Sequence, residues 1–231
     1  MNVRFRVCVL ALLLLPAWAA AQMLSPQYGT MGAPMSNFLS TSYLTQRLVN
    51  DGAFKSPTRS GNQVVVSLSA PAMAAPLMPA RLASHYPVAQ RAQAEQLFSE
   101  LLARYPQIEQ RFSIPRNDLG GAVAAFLAGA YMAYRGEDVS DADFAVLARQ
   151  IRQAMAGQKA LAAASAEEKR AMYEQMAILG MFLSTTHLGL KAGEDEEKRA
   201  QLREAGRQYL EGFLKTDPAR VHINGSGLRL G

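Results

Sequence analysis

The chain has 231 residues, 49% hydrophobic and 19% charged, with 24 basic and 19 acidic side chains and a formal net charge of +5. Its only cysteine, Cys8, and its only tryptophan, Trp18, both lie near the N-terminus, and the charges are scattered rather than striped. This composition excludes a disulfide framework, and it gives no basis for electrostatic capture of nucleic acid.

The first residues, MNVRFRVCVLALLLLPAWAAAQ, read as a secretory signal peptide over 1–21. Arg4 and Arg6 form the basic end, Val7 to Leu15 the apolar run, and Ala17 to Ala21 the small-residue cleavage region. Cleavage is expected after Ala19 or Ala21, placing the mature chain in the periplasm or outside the cell. The apolar run is shorter than the roughly 20 residues a membrane span needs. Lipoprotein processing needs a cysteine after that run, whereas Cys8 sits at its beginning, which argues against a lipid anchor. Loss of Arg4, Arg6 and Cys8 leaves 22 basic against 19 acidic residues, a net +3, and removes thiol catalysis and thiolate metal sites.

Residues 22–86 read as an irregular or partly disordered segment, with stretches such as SPQYGTMGAP and SAPAMAAPLMP. Within it, Phe38, Leu39, Tyr43, Leu44 and Leu48 mark a short amphipathic helix, with Ser36 as cap and Gly52 as stop. Gln63 to Ser69 alternates and is β-branched, as a strand would be. Pro71, Pro76 and Pro79 are expected to hold the chain extended.

A helical bundle domain is expected over 87–217. The first helix places Ala94, Leu97, Leu101, Leu102 and Tyr105 at helical spacing; Pro106 weakens or ends it, and Ile108 and Phe112 continue its apolar face. The second is the uncharged stretch Leu119 to Tyr134, capped by Asn117 or Asp118 and closed by Gly136. The third begins at a Ser140/Asp143 box, aligns Phe144, Leu147, Ile151 and Met155, and stops at Gly157. The fourth has the Ser165/Glu168 capping box and runs through Met172, Met176, Leu179, Phe182, Leu183 and Leu190 towards Gly193. Acids from Glu194 to Glu197 open the fifth, which continues through Leu202, Tyr209, Leu210 and Phe213 until Pro218 stops it. In the tail, 218–231, Asn224-Gly225 is a turn signal for a small hairpin or strand-like piece.

These elements predict an all-α fold: about five helices around a central Ala/Gly-rich helix, with an irregular N-terminal segment and a short strand-like tail. Leu119 to Tyr134 rises only about 24 Å, short of a hydrocarbon core about 30 Å thick. Gly121, Ala125, Gly129 and Ala133 put a row of small side chains on it, which lets another helix approach closely. A buried central helix is therefore expected, not a membrane span.

The stretches RNDLGGAVAAFLAGAYMAYRG, LARQIRQAM and SAEEKRAMYEQMAILGMFL together resemble a bacterial family of exported, uncharacterised proteins, a domain of unknown function. The resemblance covers about residues 80–215. It implies export and a helical fold, and no reaction.

Candidate chemistry is sparse. Asn117 and Asp118 form a polar pair at the mouth of the central helix, near Arg116 or Arg135; capping is their plain structural role. Glu174 beside Tyr173 can reach the same end as a buried acid, or be an ordinary hydrogen-bonded helix residue. His187 lies on the apolar side of the fourth helix. Met172, Met176 and His187, with Met181 as a further thioether, compose a soft set for copper(I), though methionine commonly fills cores. No zinc helix, nucleophile elbow, phosphate loop or calcium loop is found, and no cofactor is expected. The preferred expectation is an exported, non-enzymatic protein binding a partner in the cell envelope. The alternatives are an envelope hydrolase using Asp118, Glu174 or His187, and a Met/His copper-binding protein.

Overall fold

A computed structural model describes residues 43–50, 66–72, 74–191, 193 and 195–231. The proposed signal peptide, Ser36, Gly52, Gln63 to Val65 and Glu194 lie outside the described residues. The α-helices are α1 (Tyr43–Asn50), α2 (Met78–Ala83), α3 (Arg91–Arg111), α4 (Leu119–Arg135), α5 (Asp141–Ala156), α6 (Lys159–Ala163), α7 (Ala166–Lys191) and α8 (Glu196–Leu214). A two-stranded antiparallel hairpin, β1 (Val221–Asn224) with β2 (Gly227–Leu230), follows.

The uncharged stretch is the central helix α4, because it alone carries no charge that needs water before its last turn. Every residue from Leu119 to Ala133 is buried. Asp118 accepts from the Gly121 amide to cap its start, and Gly136, at φ 70°, closes it while donating to the Met132 carbonyl. Helices α5, α7 and α8 surround it, with α7 the most extensive neighbour. Among the described residues no helix is long and apolar enough to cross a membrane.

Glycines set how closely these helices approach. A Cβ on Gly180 of α7 would lie 2.6 Å from the Ala125 carbonyl carbon and 2.7 Å from the Phe126 nitrogen of α4. One on Gly129 would lie 2.7 Å from the Gly180 oxygen, and one on Gly206 of α8 would lie 2.6 Å from the Tyr134 nitrogen. The small-residue row therefore serves several neighbours: Ala125 and Gly129 meet α7, Ala133 meets α8 at Gly206, and Gly121 meets Ile114 of the preceding loop. Four residues turn a helix about 40° beyond a full revolution, so a strict four-residue row winds around the rod instead of facing one partner.

Helices α3, α4, α5, α7 and α8 are the five expected from the sequence. Ser140 and Ser165 cap α5 and α7 as read, Ser140 accepting from the Asp143 amide and Ser165 exchanging bonds with Glu168. The Asn224–Gly227 turn closes the expected hairpin, and Gln150 of α5 holds it by accepting from the Leu228 amide at 2.6 Å and donating to the Leu228 carbonyl at 3.0 Å.

Four local readings are corrected. Pro106 lies inside α3 and does not end it; buried Leu101, Leu102, Tyr105 and Ile108 on either side anchor both halves in one core, which outweighs one missing amide. Pro79 starts α2 instead of extending the chain, since a proline in the first turn loses no helical bond. Helix α6 went unread, being five residues with only Ala160 and Leu161 buried. Val66 to Ser69 finds no strand partner among the described residues. It pairs with helix ends: Val66 donates to the Ala156 carbonyl, Leu119 donates to the Leu68 carbonyl, and Ala70 donates to the Asn117 carbonyl. Residues 66–86, expected to be irregular, thereby join the common core through Ala70, Met78, Leu82, Ala83 and Tyr86.

Candidate functional site

Polar side chains converge on the N-terminal end of α4 because four elements end or pass there: the 66–70 segment, α3, α5 and α7. From α3, Glu109 is buried and its Oε1 accepts from the Tyr173 hydroxyl at 3.0 Å and from the Asp118 amide at 3.3 Å. Its Oε2 and the neighbouring Tyr105 hydroxyl have no hydrogen-bond partner among the described residues. Burial pushes the Glu109 carboxyl above the usual range, opposed by the Tyr173 bond, two backbone amides and the positive charge of Arg116. Burial likewise raises Tyr173 and Tyr105, and the Glu109 charge adds to both.

From α7, Arg170 joins two layers. Its Nε donates to Glu174 Oε1 at 2.5 Å, its Nη1 donates to Asn117 Oδ1 at 3.2 Å, and its guanidinium lies 5.2 Å from the Tyr173 ring centre. Glu174 is fully buried, and its Oε2 accepts from the Leu77 and Met78 amides at 2.6 and 2.9 Å. A residue of the long helix thus supplies the cap that the start of α2 lacks in its own sequence. Asn117 holds a left-handed φ of 57°, which carries the chain into the α4 cap.

Both oxygens of Asp118 are engaged: Oδ1 takes the Gly121 amide at 2.7 Å and Oδ2 takes Arg152 Nε at 3.1 Å. Above it opens a groove of about 560 Å³, walled by residues 66–69 and by the face of α5 bearing Arg149, Arg152, Gln153 and Ala156, with Pro115, Arg116 and Asp118 completing the lining. Arg116 and Arg149 are exposed and have neither a hydrogen bond nor an ion pair among the described residues. Three guanidinium groups therefore share a concave surface with one carboxylate, whose oxygens are already engaged.

The chain matches a family model described as a family of unknown function, DUF6683, over residues 1–231. The chain belongs to this family. The match spans the whole sequence, beyond the 80–215 read as a domain of unknown function, and its description names no reaction, source or location. No curated protein and no solved structure matches the chain.

The fold brings Asn117, Asp118, Tyr173 and Glu174 to one end of α4 and leaves His187 and Arg135 at the opposite end. There His187 Nε2 lies 2.9 Å from Asp138 Oδ1, and Lys191 donates to Asp138 Oδ2 at 2.6 Å. Arg135 is the last residue of α4, near that end. The 17 residues of α4 span about 25 Å, so Asp118 and His187 cannot share one reacting atom. The methionine set divides for a similar reason. Eleven residues of α7, about 16 Å, separate Met176 from His187, and Met172 lies a turn further. Met181 lines a separate apolar void of about 20 Å³ with Ala125, Gly129's neighbour Ala128, and Gly180.

Sequence reasoning missed Glu109, Arg170, Arg149 and Arg152. The signal for Glu109 was an acid four residues after Tyr105 on an otherwise apolar face, and that for Arg170 was its four-residue spacing from Glu174. Nothing local pointed to Arg149 and Arg152, because the wall they face is 66–69.

Proposed function

We propose that this chain is an exported, non-enzymatic binding protein of the bacterial cell envelope, and that a partner seats in the groove between residues 66–69 and α5. The observation that carries the reading is Arg116 and Arg149, two exposed guanidinium groups with no hydrogen bond or ion pair among the described residues, in one sizeable concavity within the range of ligand pockets. Support for export comes from the basic, apolar and small-residue order of residues 1–21. Support for binding without catalysis comes from two of the carboxylates: Asp118 caps α4 and pairs with Arg152, and Glu174 caps α2 and pairs with Arg170, so both serve helix starts and ion pairs.

Two measurements test this. Intact mass of the full chain expressed in a Gram-negative host should show cleavage after Ala19 or Ala21, with the product in the envelope fraction; an uncleaved cytosolic chain refutes export. A photo-reactive benzoylphenylalanine replacing Gln153 should give discrete adducts in living cells, whereas one replacing the exposed Gln93 of α3 should not. Equal labelling at both positions, or none at position 153, refutes the groove as the binding face.

A further inference from the structure

We infer that the groove's occupant is an acidic polypeptide segment, one that carries both carboxylate and small apolar side chains. This rests on the groove being the binding face and adds what it binds. Arg116, Arg149 and Arg152 offer planar, permanently charged donors suited to paired bonds with carboxylates. The same lining holds Val66, Leu68 and Ala156, so the groove offers apolar contact beside the charges.

The chain's own N-terminal region is a poor occupant. Residues 1–65 contain one acid, Asp51, against Arg4, Arg6, Arg47, Lys55 and Arg59, so they share the sign of the groove. A nucleic acid would find no aromatic side chain in the lining on which to stack a base. A membrane surface would meet a concave site with no apolar anchor beside it: Val88, at the start of the α3 region, is the one exposed large hydrophobic residue among those described. A flexible acidic peptide can enter a groove of this shape and place its carboxylates on all three arginines.

The test is fluorescence polarisation on the full chain, using a labelled peptide of alternating Glu and Ala and the same peptide with Gln for Glu. The Glu peptide should bind, the Gln peptide should not, and affinity should weaken with added salt. Arg116→Gln and Arg149→Gln should each weaken binding about tenfold, the scale of one charge-assisted contact. Both side chains are exposed, and circular dichroism of each variant checks folding; the salt titration of the unaltered chain tests the same point without a variant. Equal binding of the two peptides, indifference to both substitutions, or tighter binding to phosphatidylglycerol vesicles, inorganic phosphate or a single-stranded oligonucleotide overturns the inference. Adducts at position 153 with no Glu-peptide binding would leave the groove reading standing and remove only the acidic peptide. Glu-peptide binding that needs Arg149, without adducts in cells, would keep the groove's preference for acidic peptide and remove the cellular partner at position 153.

Discussion

The two ends of α4 carry similar side chains in opposite settings. At the N-terminal end Glu109, Asp118 and Glu174 are buried and tied to Tyr173, Arg152, Arg170 and backbone amides from separate elements. At the other end Asp138 meets His187 and Lys191, with the Lys191 side chain 55% exposed. Water reaches Lys191 at the second end more readily than it reaches Glu174 or Glu109 at the first. The first end is therefore where polar chemistry joins separate elements and supports the groove, while the second contributes one bond to a buried His187 and one half-exposed lysine pair.

The sharpest break of that contrast is Glu174→Ala. It leaves the Arg170 guanidinium and the Leu77 and Met78 amides without their acceptor, and loss of one partner from a buried pair costs about 3–5 kcal/mol. Chemical denaturation should show a loss of that size; a loss under about 1 kcal/mol would mean that water serves the site. Next comes Glu109→Gln, read as a pH profile. Burial raises the folded-state pKa of Glu109 above its unfolded value. The folded chain therefore holds the proton longer, and its stability falls as pH rises from the ordinary glutamate range through the raised value. Glu168, Asp195 and Glu204 are held below their ordinary values by hydrogen bonds, so their stabilisation is lost only as pH falls below that range. Burial lowers His85, which gives a slope of opposite sign shared by both proteins. The difference between Gln variant and parent should thus grow in the variant's favour towards neutral pH, and a pH-independent difference would contradict it. The smallest effect is expected from Asp138→Ala, which removes a half-exposed Lys191 pair worth about 1 kcal/mol or less and one hydrogen bond to His187 worth about 1 kcal/mol. A melting shift as large as that of Glu174→Ala would erase the distinction between the ends.

How much of this was legible in the sequence depends on the range of the interaction. Capping operates within four residues, so Asp118, Ser140, Ser165 and Gly136 could be read directly, and the central position of α4 followed from a run without charges. Pro106 was misjudged because the packing on both sides of it is tertiary. The candidate site was half legible: Asn117, Asp118, Tyr173 and Glu174 do share one end of α4, but grouping His187 with them ignored the length of the helix between. The groove was invisible for a stronger reason, since its walls are about 80 residues apart in the chain and no periodicity links Leu68 to Arg152.

The attachment of residues 66–70 has one more consequence. The Leu119 amide is in the first turn of α4, where a helix has no acceptor of its own to offer, and it is bonded to the Leu68 carbonyl. Its deuterium uptake therefore reports how often that segment lifts away, while the Ala122 amide, bonded to the Asp118 carbonyl, records the fraying of the helix itself. The ratio of the two exchange rates gives a built-in clock for the opening of the groove wall, readable without an attached probe.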